Sequence, residues 1–585
     1  MTGAAAGPHT ASPHTVVVGG GIAGLATAAL LAREGHSVDL LERGAEVGGR
    51  AGLHVDGGFR FDTGPSWYLM PEVFDHFFRL FGTSSAEQLD LVPLDPGYRV
   101  FPEPVPSPGG AGLPTRLGLP TRLGLPTHEA PRALPIDVPR GRARVLELFE
   151  RLEPGCTPRV NAYLDTASEA YDLALRHFLY TTFADLTRLA HPEVVRRAGT
   201  LMTLLGTSLA ERIEATVQHP VLRQMLGYPA VFLANRPDRT PGIYQLMSRL
   251  DLVDGVDYPR GGMRTVIDAI ARIAVDAGVR IHTNTEVTAL HVRRSGIARR
   301  VRGAGPGRVT EVVARTPDGL EVFTPDIVVT TADLHHVETQ LLPARFRSIP
   351  ARAWRRKNPG MGGLVMMLGV EGRVPELEHH NLFFTRDWDA NFDAVFGGTN
   401  GQSGKAARPG GGPRERRRGT PSAIPTPASV YVCAPSRTDP TVAPTGRENL
   451  FVLVPMPTDV SARAGDPAFE AACDRIVDQV GAWAGVPGLR SRVVSRRTMG
   501  PGDFVTEFHA WRGTVLGPAH TLFQSVWFRG RPQNPKVGNL LHAGAFSAPG
   551  VGLPMCLIGA ENVLKAVRGD TSGGWVHDTG ARGPS

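Results

Sequence analysis

The sequence predicts an α/β protein in which a Rossmann-like nucleotide-binding domain is interwoven with a mixed α+β domain and a helical region. Three observations predict this class. A strand, a glycine turn, a helix and a second strand open the chain, and another glycine-rich turn lies near its far end. At 585 residues the chain is also long enough for two intertwined domains with a sizeable core.

The N-terminal element has the order of a dinucleotide-binding βαβ unit. An apolar strand, His14–Val18, leads through glycines into a small-residue helix over 25–33, and a second strand, Ser37–Leu41, ends at Glu42. A carboxylate at that position accepts both ribose hydroxyls, which favours FAD or NAD over NADP. The free N–H groups at the start of the helix suit the phosphates of such a cofactor.

The glycines of this unit have separate roles. Gly19 permits the tight turn, Gly21 lets the backbone approach a pyrophosphate, and Gly24 lets helix and strand pack closely. The apolar run over 15–32 is also compatible with a signal peptide or a membrane span. Its leader carries no Lys or Arg and no convincing cleavage site follows at 33–35, so the nucleotide-binding interpretation is favoured.

Further glycine turns favour FAD over NAD as the cofactor. Gly49 and Arg50 follow shortly after Glu42 and Arg43, and an arginine on a glycine turn supplies a bidentate partner for phosphate. The next turn-rich strand end is suited to backbone contact with a flavin and contains Gly64, Pro65 and Ser66. We therefore predict that these residues, including Arg43, bind the cofactor.

A second glycine-rich element lies near the C-terminus. A strand over 539–543 runs into a turn that contains Gly544 and Gly552, and a helix follows from Met555 over 555–567. The start of that helix can face the flavin. Two distant glycine turns that serve one cofactor fit FAD, which is long and must be held at both ends.

Five motifs, in this order within 14–568, resemble those of bacterial phytoene (carotenoid) desaturases, a family of FAD-dependent oxidoreductases. They are Phe61-Asp62-Thr63-Gly64-Pro65, Tyr258-Pro259-Arg260-Gly261-Gly262-Met263, His379-His380-Asn381-Leu382-Phe383-Phe384, Gly517-Pro518-Ala519-His520 with Gln524-Ser525, and Pro549-Gly550-Val551-Gly552-Leu553-Pro554-Met555. Flavoprotein amine oxidases share the N-terminal set but resemble the other motifs less. Many flavoproteins of this fold have an acid where this chain has Ala545.

The resemblance implies an amine-oxidase-like FAD-binding domain and the FAD-dependent desaturation of phytoene or a related carotenoid in carotenoid biosynthesis. Hydride would pass to flavin N5, and a proton would leave the neighbouring carbon. The resemblance also implies that backbone near Val287 contacts the adenine end of the cofactor. Oxygen or a quinone would reoxidise the flavin, and a hydrophobic polyene substrate implies peripheral binding to a membrane through the helical region.

Three alternatives stay open. A carotenoid ketolase or oxygenase has the same fold, and a flavin amine oxidase often has a lysine near its flavin. A prenyl-binding escort-like protein reuses the fold without flavin, but Glu42 and the turn of Gly49 and Arg50 argue against it. The amine oxidase is disfavoured because two of the four lysines, Lys405 and Lys565, are poorly placed for that role.

The amino-acid composition indicates which partners the protein binds and in which cellular compartment it works. The net charge is +7, carried mainly by arginine, and a positive face favours anionic lipid headgroups. No nucleic-acid partner is expected, because no recognised binding module or interleaving of aromatic and basic residues is present. The four cysteines lie far apart and indicate a reducing compartment. We expect a cytoplasmic protein that is peripheral on the inner face of the cell membrane.

The motifs divide the chain into alternating segments. We predict FAD-binding segments over 14–100, 256–333 and 536–570, a Pro-rich insertion over 102–140, a helical substrate and membrane region over 145–252, and a substrate domain over 334–530 with a disordered insertion over 397–426.

Candidate catalytic groups are scarce. No catalytic base can be named from the sequence, and the oligomeric state stays open. The doublets His335-His336 and His379-His380 suggest metal ligands, but adjacent residues on a strand point to opposite faces, and no Cys or carboxylate set completes a site. We therefore expect no metal.

Overall fold

The computed structural model describes residues 12–105, 134–185, 190–294, 306–397 and 424–576. The strands are β1 (His14–Val18), β2 (Ser37–Leu41), β3 (Leu53–Asp56), β4 (Phe59–Asp62), β5 (Leu91–Pro93), β6 (Tyr98–Pro102), β7 (Ile136–Val138), β8 (Asp257–Pro259), β9 (Arg280–His282), β10 (Glu286–Arg294), β11 (Gly307–Thr316), β12 (Gly319–Phe323), β13 (Ile327–Thr330), β14 (Gly362–Glu371), β15 (His380–Phe384), β16 (Val430–Cys433), β17 (Arg447–Met456), β18 (Val493–Met499) and β19 (Leu540–His542).

The α-helices connect and cover these strands. They are α1 (Ile22–Arg33), α2 (Pro71–Arg79), α3 (Ser85–Gln88), α4 (Arg142–Leu152), α5 (Thr157–Ala174), α6 (Pro192–Arg196), α7 (Ala198–Gly206), α8 (Leu209–Glu214), α9 (Pro220–Gly227), α10 (Pro229–Phe232), α11 (Met247–Arg249), α12 (Arg264–Asp276), α13 (Leu334–His336), α14 (Ala351–Arg356), α15 (Trp388–Phe396), α16 (Pro467–Ala484), α17 (Pro501–Phe508) and α18 (Leu553–Arg568).

A five-stranded sheet forms the nucleotide-binding domain. Its order is β19-β13-β1-β2-β9, and each pair is parallel. The predicted βαβ order is confirmed. Strands buried on both faces need apolar residues throughout, and β1 meets this requirement with three consecutive valines. Helices α1, α12 and α18 share one core against this sheet, so segments far apart in the chain build a single domain.

A seven-stranded sheet forms the second domain, in the order β18-β14-β17-β16-β15-β6-β7. Its β14 is buried over nine of its ten residues, as expected for a central strand with both faces covered. Two strands of this sheet, β6 and β7, come from parts of the chain that the sequence assigned to the first FAD-binding segment and to the Pro-rich insertion. Residues 106–133 and 398–423, which hold most of the two predicted insertions, lie outside the described residues.

Helices α4 to α11 lie within 142–249, where the sequence predicted a helical region. They pack around a core that includes Phe149, Tyr163 and Met225. Within the described ranges, no helix combines the length and the apolar character that crossing a bilayer requires.

Asp251 gives this helical region a pH-dependent stability. Its side chain is buried and accepts hydrogen bonds from the hydroxyls of Tyr228 (2.7 Å) and Tyr98 (3.4 Å). Burial raises the pKa of Asp251 from an ordinary value of 3.8 to about 7. Between about pH 4 and pH 7 the folded protein therefore keeps a proton that the unfolded chain has released. The free energy of unfolding falls as the pH rises through that window.

Replacing Asp251 by asparagine removes this titration. The Tm of Asp251→Asn minus the Tm of wild type should be larger at about pH 8 than at about pH 5. The reason is that only the wild type buries a charge at the higher pH. Calorimetry at both pH values measures the difference. The matched control is Asp276→Asn on an exposed position of α12, and a Tm difference for Asp251→Asn that is the same at both pH values contradicts the assignment.

Candidate functional site

A continuous cavity of about 1410 Å³ runs between the five-stranded sheet, the seven-stranded sheet and the helical region. One end is lined by the glycine turns and by charged side chains. The other end is lined by large apolar side chains. Of the fourteen predicted cofactor-binding residues, the cavity wall includes Gly19, Gly21, Glu42, Arg43, Gly49, Arg50, Gly64, Pro65, Ser66, Val287, Gly544, Gly552 and Met555.

The glycine turn after β1 forms one wall of the polar end. The backbone N–H of Gly48 donates to the carbonyl of Gly20 at 2.9 Å, which brings the two glycine turns together. Gly21 is the N-cap residue of α1, and no side chain caps that helix N-terminus. The fourteenth residue, Gly24, lies behind this wall, where a Cβ would overlap the carbonyl oxygen of Gly19. Its contribution is therefore the close packing of helix on strand.

Glu42 joins the turns of the polar end. One carboxylate oxygen accepts from the N–H of Gly20 and the other from the N–H of Gly44, each at 2.6 Å. The carbonyl of Glu42 accepts from the N–H of Thr285 at 2.8 Å, which brings the start of β10 and Val287 to the same end of the cavity. Each carboxylate oxygen keeps a further acceptor position for a ribose hydroxyl.

The two predicted arginines differ in their partners. Arg50 is half-buried, and its Nε is shielded from solvent and has no hydrogen-bond partner within the described part of the chain. Burial lowers the pKa of Arg50, and burial raises the pKa of nearby Asp333 to about 6. Arg43 instead donates to the carbonyls of Thr506 and Glu507. The structure thus gives Arg43 a role in holding α17, and its contact with the cofactor stays a prediction.

The residues of the polar end fit FAD. The N-terminus of α18 follows Gly552, whose φ of 120° favours glycine, and like that of α1 it has no side-chain cap. The two uncapped helix N-termini and Arg50 therefore line one cavity, and their N–H groups are donors suited to anionic or carbonyl oxygens. Pro65 and Ser66 also line this cavity.

The apolar end of the cavity is built mainly by the helical region. Its lining consists of Phe178, Leu179, Leu201, Leu205, Phe232, Leu233, Ile243, Leu246, Met247, Leu250, Leu516, Leu522 and Phe528. Several of these side chains and their neighbours are exposed to solvent. We call this set the apolar rim: Met202, Leu205, Leu522, Phe523 and Phe528.

The seven-stranded sheet supplies a third wall. Val365, Leu453 and Tyr431 lie side by side on β14, β17 and β16, and all three line the cavity. The hydroxyl of Tyr431 contacts Ser66 Oγ at 2.6 Å and His380 Nδ1 at 2.7 Å. Sequence reasoning missed Tyr431, because no motif surrounds it and strand register alone brings it to Ser66.

The expectation that the histidines of each doublet point apart is wrong for His379 and His380. His379 lies before β15, and its ring centroid is only 4.6 Å from that of His380. Cys433 is the register partner of His380, and one ligand atom from each of the three residues lies within 4.8 Å of the others. Each Nδ1 already contacts a hydroxyl, that of Thr438 or of Tyr431. The absence of a metal stays a prediction, which metal analysis of the purified protein tests.

Comparison with known proteins gives three findings. The family model described as flavin containing amine oxidoreductase matches residues 22–563. A carotenoid 3,4-desaturase of Haloarcula japonica is 34% identical over 552 residues, which are 94% of this chain and 97% of that protein. A zeta-carotene-forming phytoene desaturase of Myxococcus xanthus is 30% identical over 580 residues, with 98% and 96% covered.

A solved structure shares the fold. It is an oxidoreductase from Methanosarcina mazei, with a TM-score of 0.55 and 16% identity, and the match covers 94% of this chain and 100% of that one. At this identity the likeness shows the fold alone.

Proposed function

The chain belongs to the flavin containing amine oxidoreductase family and, within it, to the carotenoid desaturases, and we propose that phytoene or a closely related acyclic polyene is its substrate. The reaction is an FAD-dependent desaturation of a carotenoid. One observation carries the assignment of substrate: the cofactor end of the cavity continues without interruption into an apolar end that reaches the surface at the apolar rim.

Different residues of the cavity bind the cofactor and bind the polyene. When bound, FAD supplies the two-electron acceptor that takes hydride from carbon. Glu42 and Arg50 hold the cofactor at the polar end. The apolar side chains of the helical region bind the polyene by burying it and exclude water from the reacting carbons. Tyr431 and Ser66, joined by a hydrogen bond, also line the cavity.

The described lysines disfavour amine oxidation. No lysine is among the described residues that line the cavity. The Nζ of Lys565 donates to the carbonyls of Tyr180 and Ser572 at 2.9 and 3.2 Å. Lys357 packs over the ring of Trp354, and Lys405 lies outside the described residues.

Anaerobic flavin reduction tests the proposed function. The FAD-loaded protein is mixed without oxygen with phytoene, with a more desaturated carotenoid, and with a diamine, and the flavin absorbance is followed. We expect bleaching by phytoene and none by the amine. Bleaching by the amine alone contradicts the proposal, and a product that gains oxygen on reoxidation identifies an oxygenase instead.

We also propose that oxygen or a quinone is the electron acceptor. Adding each of them separately to the reduced protein identifies which one reoxidises the flavin.

We also propose that the protein docks on a membrane surface through the apolar rim. Phe523 is 73% exposed and Phe528 55% exposed, and their rings contact each other at 5.5 Å between centroids. Exposed aromatic side chains at the mouth of an apolar cavity are typical of an interfacial anchor. A polyene could then pass from the lipid into the cavity without crossing water.

Removing the rim aromatics is expected to release the protein from lipid. The double variant Phe523→Ser/Phe528→Ser should sediment with anionic liposomes several-fold less than wild type, because it loses apolar area that would otherwise be buried in lipid. The control is Leu320→Ser on β12, which has the same 73% exposure but lies outside the rim. Equal loss in the control, or no loss in the double variant, contradicts this docking surface.

A further inference from the structure

Two long segments without acidic residues meet beside the apolar rim. Residues 339–370 contain five arginines and one lysine, residues 508–560 contain three arginines and one lysine, and neither segment contains an Asp or a Glu. The second segment carries Leu522, Phe523 and Phe528 of the apolar rim. In the whole chain 63 basic residues face 56 acidic ones, so the net charge of +7 is unevenly distributed and these two segments are strongly positive.

The helix α14, in the first of these segments, presents arginines to solvent. Its Trp354 is buried against Trp511, with 5.2 Å between the ring centroids. Arg352 and Arg356 lie two residues before and after Trp354, which at about 100° per residue places both on the opposite face of the helix. Both are exposed, and two more exposed arginines lie on the flank of α14 and in the chain that follows the rim. We call this set the basic collar: Arg352, Arg355, Arg356 and Arg531.

The positive charge of the collar is not balanced by carboxylates. Within the described part of the chain, none of its four arginines forms an ion pair, whereas Arg496 on another surface pairs with two acids. Arg529, which is buried beside the rim, donates to the carbonyls of Gln524 and Pro518 at 3.0 Å each. Burial lowers the pKa of Arg529 to about 10, so this side chain keeps its charge at neutral pH and adds to that of the collar.

Hydrogen bonds join the collar to the apolar rim. Asn358 lies two residues after the end of α14, and its N–H donates to Oε1 of Gln524 at 2.8 Å. The carbonyl of Asn358 accepts from Nε2 of the same side chain at 3.0 Å. Because Gln524 directly follows Phe523, these short connections keep the Cα atoms of Arg356 and Phe523 within about 20 Å. The collar and the rim are therefore neighbouring parts of one surface.

We propose that the basic collar binds the anionic headgroups of a phospholipid leaflet, an inference that deepens the proposed docking through the apolar rim and rests on it. Guanidinium groups bind phosphate oxygens through paired hydrogen bonds. The rim enters the hydrocarbon, while the long arginine side chains stay at the level of the headgroups. A nucleic acid also offers phosphates, but it offers no hydrocarbon in which the exposed rings of Phe523 and Phe528 are buried.

Binding of headgroups by the collar also orients the cavity. Leu522 and Phe528 line the apolar end of the cavity, so a collar that fixes the rim against a leaflet aims the mouth of the cavity at the lipid. Anionic lipids are characteristic of the cytoplasmic leaflet of cell membranes. The collar therefore favours docking on that leaflet over docking on a neutral one.

Sedimentation with vesicles of two compositions tests the proposal. The vesicles contain phosphatidylcholine alone or phosphatidylcholine with phosphatidylglycerol. The proteins are wild type, Arg352→Gln/Arg356→Gln, the charge-conserving Arg352→Lys/Arg356→Lys, and the matched control Arg463→Gln/Arg475→Gln. Both control positions are exposed, and Arg475 lies on α16, which covers the face of the seven-stranded sheet turned away from the cavity. Flavin content and Tm are measured first for every protein.

We expect wild type to bind the anionic vesicles more tightly than the neutral ones. Arg352→Gln/Arg356→Gln should bind the anionic vesicles about 10- to 30-fold more weakly, because each arginine near an anionic surface contributes about a factor of five. Its binding to neutral vesicles should equal that of wild type. The lysine variant and the control should keep most of the binding to anionic vesicles. Raising the salt from about 50 mM to about 500 mM should weaken the wild type more than the glutamine variant.

Other outcomes overturn the inference. Equal binding of wild type to neutral and anionic vesicles excludes headgroup recognition, and this result needs no variant. Equal losses in the collar variant and the control show that net charge alone acts. Weaker binding of the collar variant to a DNA duplex, with vesicle binding unchanged, assigns the collar to nucleic acid. If wild type sediments with neither kind of vesicle, the proposed docking itself fails, which is distinguishable because it precedes every comparison of variants.

Discussion

Glu42→Ala is expected to purify largely without FAD. The carboxylate accepts two backbone N–H groups that hold the glycine turns, and it offers its remaining acceptor positions to the ribose. A hydrogen bond to a charged group contributes about 1.5–3 kcal/mol, so loss of the ribose contact alone weakens FAD binding roughly 10- to 100-fold. Loss of the bonds to Gly20 and Gly44 adds to that effect. Flavin occupancy from the absorbance ratio of the purified protein measures it.

Two further variants sharpen this result. Glu42→Gln keeps the shape but not the charge and should retain more flavin than Glu42→Ala. Glu34→Ala removes an acid from the same βαβ unit that pairs with Arg568 outside the cavity, and it should retain full flavin. Full occupancy in Glu42→Ala would show that the nucleotide site is placed wrongly.

Gly24→Ala is expected to destabilise the nucleotide-binding domain although it introduces a better helix former. In an ordinary helix this substitution stabilises by up to about 1 kcal/mol. At Gly24 the new Cβ would overlap the carbonyl oxygen of Gly19, and backbone cannot move aside as a flexible side chain can. We expect a loss of about 1–3 kcal/mol or more, together with loss of FAD, measured by thermal unfolding and flavin content.

The matched control is another helical glycine. Gly199 lies in α7 and is exposed, and an added Cβ at this position would meet no atom within 4 Å. Gly199→Ala should therefore leave the Tm unchanged or raise it slightly. A Tm for Gly24→Ala equal to that of Gly199→Ala would contradict the close packing of α1 on β1.

Local pattern made the nucleotide-binding domain predictable. The strand β1, the glycines after it and the acid after β2 are adjacent in sequence, and their spacing alone predicts the βαβ unit. The helix predicted over 555–567 is confirmed as α18, within two residues at its start and one at its end. These elements need no knowledge of distant parts of the chain.

Tertiary pairing made the rest unpredictable. Tyr431 reaches Ser66 through the register of β16 with β17, and neither residue has a sequence signal for the other. The strands β6 and β7 join the large sheet although β6 ends where the predicted Pro-rich insertion begins and β7 lies within it. His520 stands in a motif that the sequence singled out, but its contacts with Tyr244 and with the turn at Gly550 arise only from tertiary packing.

The most direct test of the proposed function is the product formed from phytoene. The purified, FAD-loaded protein is incubated with phytoene in liposomes, and the extract is analysed by mass and absorbance. We predict loss of hydrogens in steps of two, with new bands at longer wavelength and no gain of oxygen. Unchanged phytoene with a flavin-replete, folded protein would contradict the assignment of this substrate, and a mass gain of oxygen would contradict desaturation itself.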